Sequence, residues 1–223
     1  MLVQDFKQTV TSFDEALNVW IEKVKPNVQT VPLNSLRFHP DFTLQNGDRE
    51  NITKDALYNG ICKVLKIPKS YALRIHPNLL SENINELAMK SDRMVNISKS
   101  QNGYVTNVFG TGIQVPNDRV ITNILERKEK LTINNIVIGD RGLFVQMLDN
   151  NLVDIAPEVG DITKVGFDIS NSEVGFGSLV GTSFLLRLIC TNVAVMPAGN
   201  YGFRRLYNKS YDDPDIVVQN FLS

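Results

Sequence analysis

Tyr201, Phe203, Arg204, Arg205, Tyr207, Lys209 and Tyr211 interleave aromatic rings with cations over eleven residues. Single-stranded nucleic acid is held by that combination, with bases stacked on rings and phosphates met by basic side chains. Tyr201, Arg204, Arg205, Tyr207 and Lys209 are therefore the candidate nucleic-acid contacts. The competing assignment is edge packing of a terminal strand, with the basic pair answering Asp212, Asp213 and Asp215.

A second group carries a different chemistry. Asn171, Ser172 and Glu173 form a polar turn, and Arg187 interrupts the apolar stretch Phe184 to Ile189 shortly before Asn192. An arginine among apolar neighbours needs a counter-charge. Glu173, Asp161 or Asp168 is expected to supply it across a sheet; otherwise Arg187 holds an anion such as phosphate. Asp161 and Lys164 are three residues apart and so fall on opposite faces of a strand, against the arrangement of a metal-dependent nuclease. With only His39 and His76, each followed by proline, a histidine metal site or hydrolase triad has little material. The glycines of 175–181 miss the dinucleotide spacing by one residue, and no phosphate loop or serine elbow occurs. No catalytic residue, metal or cofactor is expected.

Elements to position these residues are legible in the periodicity. Ser12 to Glu15 is a capping box opening a helix that Pro26 stops, with Phe13, Ala16, Leu17, Trp20, Ile21 and Val24 at helical spacing. Residues 28–47 read as an irregular loop with a short strand near Leu36 and Phe38. Thr53 caps a second helix, Tyr71 to Ile75 forms a short one that Pro77 breaks, and Ser81 to Lys90 adds another. After residue 92 the period changes to two. Asn102-Gly103 and Gly139-Asp140-Arg141-Gly142 mark hairpins, a helix begins at Asn117, Lys164 to Ser170 alternates, and Thr182 to Met196 reads as one long buried strand. The expected fold is α+β: an antiparallel sheet built of hairpins, covered by helices mostly from the N-terminal half. It is read as a single domain over 1–223, with a helical part at about 1–92 and a β-rich part at about 93–223.

The balance of 23 Lys plus Arg against 24 Asp plus Glu gives a net charge of -1, so any basic surface is local. Cys62 and Cys190 lie far apart and read as buried free thiols of a reducing compartment. No signal or membrane-spanning pattern is present, and a cytoplasmic location is expected.

Gly166-Phe167-x-Ile169-x-Asn171-Ser172-Glu173-x-Gly175, then Arg187-x-x-Cys190-x-Asn192 and the pair Arg204-Arg205, resemble a phage- and plasmid-encoded family known only as a domain of unknown function. The likeness extends over roughly 53–211. The chain departs from it where a histidine commonly follows the basic pair, since Tyr207 stands near that place. The resemblance implies a mobile-element setting in a bacterial host and no established activity. Together with the basic-aromatic segment it leads to the expectation of a non-enzymatic, single-stranded-DNA-binding accessory protein, with self-association into an oligomer. The alternatives are a factor that binds a host or phage protein, such as an anti-defence factor, and an enzyme acting on a phosphate-bearing substrate through Arg187 with Glu173 or Asp168.

Overall fold

The computed structural model describes residues 6–112, 114–126, 129–153, 163–189 and 192–205. The fold is α+β, and its strands form three antiparallel sheets. The largest has six strands in the order β1 (Lys7–Val10), β8 (Leu131–Gly139), β9 (Gly142–Val153), β10 (Thr163–Asn171), β11 (Leu179–Ile189) and β12 (Asn192–Arg205). One three-stranded sheet joins β2 (Asn27–Pro32), β6 (Met94–Lys99) and β7 (Val105–Gly110), and another joins β3 (Arg37–Phe38), β4 (Thr43–Asn46) and β5 (Asp48–Asn51).

One face of the large sheet is covered by α1 (Phe13–Val19), which continues as a π-helical turn over Trp20–Val24, and by α5 (Asn117–Leu125). Phe13, Ala16, Trp20, Val120, Ile121 and Ile124 meet Ile136, Ile138, Val145, Met147, Ile169 and Leu179 in a first core. The helix is capped by one half of the expected box, since Ser12 Oγ accepts from Glu15 N at 3.2 Å, while Glu15 Oε2 accepts from Thr11 N at 3.4 Å and not from Ser12 N. A second core, built around Phe38, Leu44, Leu57, Ile61, Leu80, Ile97 and Val108, packs the two small sheets against a π-helical turn at Ala56–Ile61, α2 (Cys62–Val64), α3 (Lys69–Ala72) and α4 (Pro77–Met89). The helices between residues 53 and 90 thus serve the second core and not the large sheet. Cys62 is buried there, and burial pushes its thiol up to about 11.

Several sequence expectations change. The stretch 28–47 is not a loop, because β2, β3 and β4 occupy most of it. Asn27–Pro32 has only Val31 buried, so it lacks the alternation that marks a half-buried strand, and pairing with β6 sets it instead. The break expected at Pro77 is present, since α3 ends at Ala72, but Pro77 also starts α4, four residues before the helix expected at Ser81. Pro77 occupies the first helical turn, which needs no proline N–H, and His76 Nδ1 accepts from Asn78 N at 3.3 Å. Thr182 to Met196 is two strands: β11 ends at Ile189, β12 starts at Asn192, and Ile189 pairs with Asn192. A hairpin between two apolar strands is invisible to periodicity when no Gly or Asn-Gly marks the turn. Cys190 lies outside the described residues. No helix among the described residues is long and apolar enough to cross a membrane.

Candidate functional site

The end of β10 and the loop after it organise one rim of the large sheet. Asn171 is buried, and its Nδ2 donates to Val115 O at 2.8 Å and to Asn117 Oδ1 at 2.7 Å. Ser172 Oγ donates to Arg141 O at 2.7 Å and accepts from Phe176 N at 3.0 Å. Glu173 Oε2 accepts from Asn117 N at 2.7 Å. The three residues therefore tie the start of α5 and the β8–β9 turn to the sheet. Gly175 closes the turn at φ +79°, and a Cβ there would stand 2.8 Å from the Phe109 ring, so both backbone conformation and space require glycine.

Arg187 and Asn192 are not part of this rim. In the register Arg187 stands opposite Thr163 on β10 and Ala194 on β12, and Asn192 opposite Ile189. From Leu179, at the rim, Arg187 is eight residues along β11, or roughly 27 Å of extended chain. The register does not bring Arg187 beside Glu173, the partner expected from the sequence, because Glu173 lies beyond the opposite end of the sheet. Asp168 is no partner in register either, since it stands opposite Thr182 and accepts from Gln146 Nε2 at 2.9 Å. Asp161 lies outside the described residues. An antiparallel hairpin keeps a strand's two ends apart, whereas sequence proximity suggests a cluster.

The same rim receives the basic pair. Arg204 stands opposite Val180 and Arg205 opposite Leu179, directly after the loop of residues 172–178, with Tyr201 earlier on β12. Lys209 and Tyr207 lie outside the described residues. Two cations overlooked in the sequence join them: exposed Lys7, paired with Gly139 at the edge, and Arg141 at the tip of the β8–β9 hairpin. The Arg141 side chain is 61% exposed, its Nε meets Asp55 Oδ2 at 2.7 Å, and its guanidinium lies 5.5 Å from the Phe176 ring centre. A groove of about 580 Å³ opens between them, lined by Phe6, Lys7, Phe144, Arg141, Ser170 and Phe176 among others. Lys7 and Arg141 are single basic residues separated by 134 positions, and nothing in the local sequence signals that they share a rim.

Beneath the rim lies a buried polar seam between the two cores. Asp140 accepts from Phe6 N at 2.7 Å and from Tyr104 Oη at 2.9 Å, while burial holds its carboxyl above the usual range against those two bonds. Burial likewise pushes Glu173 up to about 7; the Asn117 amide opposes this, Asp118 adds to it, and Lys25 opposes it from a distance. Asn107 Nδ2 donates to Val174 O across the seam. Trp20 Nε1 and Asn117 Nδ2 are buried without a hydrogen-bond partner among the described residues, and with Asp140 and Glu173 their residues border a small cavity of about 10 Å³. That is close to the least volume that admits one water molecule.

Comparison with protein-family models, curated proteins and solved structures returned no match to this chain. Among the described residues no group of three or more His, Cys, Asp or Glu side chains is placed to hold a metal ion.

Proposed function

We propose that this chain is a phage- or plasmid-encoded, non-enzymatic accessory protein that binds single-stranded DNA along the rim of its large sheet, in the cytoplasm of a bacterial host. One observation carries the reading: Lys7 on β1, Arg141 in the β8–β9 turn, and Arg204 and Arg205 at the end of β12 come to the same rim beside a groove that contains Phe6, Phe144 and Phe176. From β1 to β12 there are five strand spacings, roughly 24 Å, a span that a few nucleotides of extended single strand cover. Rings within the groove offer stacking surfaces while cations along the rim meet successive phosphates. The phosphate-enzyme alternative has less support from the strand register, in which Arg187 stands far along β11 from the end of the sheet that leads to Glu173.

Fluorescence anisotropy with labelled single-stranded and duplex oligonucleotides over a salt series tests the proposal. Binding should prefer single strands, and log K should fall with log salt at a slope near −3, since about four phosphates are met at about 0.7 each. The double variant R204A/R205A should lose roughly half of that slope and at least about tenfold in affinity. Absence of binding at low salt, or unchanged affinity in the double variant, overturns the assignment.

A further inference from the structure

Glu173 also lines a second hollow, of about 460 Å³, which shares no described lining residue with the groove. Its volume is that of a small-molecule site. Trp20, Phe109, Pro26 and Pro116 supply rings and flat apolar walls, and among the described residues Glu173 and Asp118 bring two carboxyl groups to it against one cation, that of Lys25. The polar groups are under-used. Glu173 accepts one backbone N–H, from Asn117, and forms no ion pair with a described residue, although a carboxylate has about four acceptor positions. Among the described residues Gln114 Oε1 is buried without a donor, and Trp20, 2% exposed, has no partner for its indole N–H. A largely buried carboxyl with no ion pair among the described residues, in an aromatic-walled hollow, is an arrangement that marks candidate ligand sites.

We propose that this hollow binds a small planar organic cation, a ring compound bearing an amidinium or guanidinium group, with the Glu173 carboxylate as its counter-ion. Two parallel N–H donors of such a group match the fork of a carboxylate. The flat ring fits between the indole, phenyl and proline walls, where a cation also gains from the aromatic faces. An anion is disfavoured by two carboxyls facing one lysine. A neutral amide of the same shape fills the walls but forgoes the charge.

The chain has one tryptophan, so a ¹H–¹⁵N correlation spectrum of the full-length protein has a single indole resonance, at the wall of the hollow. Titration at about pH 8 with benzamidine, benzamide and benzoate compares cation, neutral molecule and anion on one ring. Benzamidine should move the indole peak saturably, benzamide should bind at least roughly tenfold more weakly, and benzoate should leave the peak in place. E173Q keeps an acceptor for Asn117 N and should bring benzamidine down to the affinity of benzamide. Equal affinity for benzamidine and benzamide, no saturable movement of the indole peak, or wild-type affinity in E173Q each overturns the proposal. Should the E173Q spectrum lose its dispersion, the wild-type chain at about pH 6 replaces it. Glu173, faced by Asp118, Lys25 and Asp140, gains a proton there, so benzamidine affinity should fall several-fold while that of benzamide holds; an unchanged ratio overturns the site.

Discussion

Glu173 is where residue-scale chemistry has the largest consequence. A carboxyl whose pKa rises from 4.5 to about 7 on folding binds its proton more tightly in the native state than in the unfolded chain. The sign follows from linkage: native stability is fullest below the unfolded pKa and is lost as pH rises through the folded one. Between about pH 5 and pH 8 the charged, desolvated carboxylate costs on the order of 3 kcal/mol. Asp140 and Asp168, both raised by burial, act in the same direction at lower pH. E173Q should therefore be more stable than wild type at pH 8 and nearly equal to it at pH 5, as read from urea midpoints at the two values. A variant less stable at both would mean that burial of the charge is not what the protein tolerates here. Retaining such a carboxyl at a cost in stability is consistent with a use for it in the adjoining hollow.

At the scale of elements, the junction between β10 and α5 depends on one side chain. Asn171 satisfies Val115 O and Asn117 Oδ1 together, in a place where neither meets solvent. Alanine there strands two buried acceptors, each worth about 1–3 kcal/mol. N171A should lower the denaturation free energy by about 2–4 kcal/mol, and amides of α5 should lose hydrogen-exchange protection before those of β9. A loss under about 1 kcal/mol would show that the helix is held by its apolar face alone. The strong periodicity of Val120, Ile121 and Ile124 made this helix readable in the sequence, and its inward residues are buried in the first core. Its attachment was not readable, because Asn171 lies 54 residues from Asn117.

Across the whole molecule the two cores are interleaved in the chain. Residues 10–24 and 115–179 build the first, and residues 31–108 build the second as a continuous insertion between them. The seam is held by Asn107 to Val174, Tyr104 to Asp140 and Arg141 to Asp55. Gly60 permits it, since a Cβ there would stand 2.4 Å from Asn107 Oδ1 and 3.0 Å from the Val108 backbone. G60A should cost about 1–3 kcal/mol and displace Asn107 from Val174. Trp20 packs in the first core, at its border with the seam, so fluorescence and far-UV circular dichroism unfolding curves, coincident in wild type, should separate in G60A. Coincident curves in the variant would mean that the cores are coupled without this contact. What the sequence by itself determined is local: the helix cap at Ser12, the turn at Asn102-Gly103, the β8–β9 hairpin and the α+β class, each set by the conformational preferences of a few neighbouring residues. Tertiary structure alone decided which distant residues meet. It assigned the helices of 53–90 to a second core, split the stretch 182–196 into a hairpin, sent Arg187 to the end of the sheet opposite Glu173, and brought Lys7 and Arg141 to the rim of Arg204 and Arg205. Strand order and register depend on burial and pairing summed over the whole sheet, and no window of sequence contains that sum.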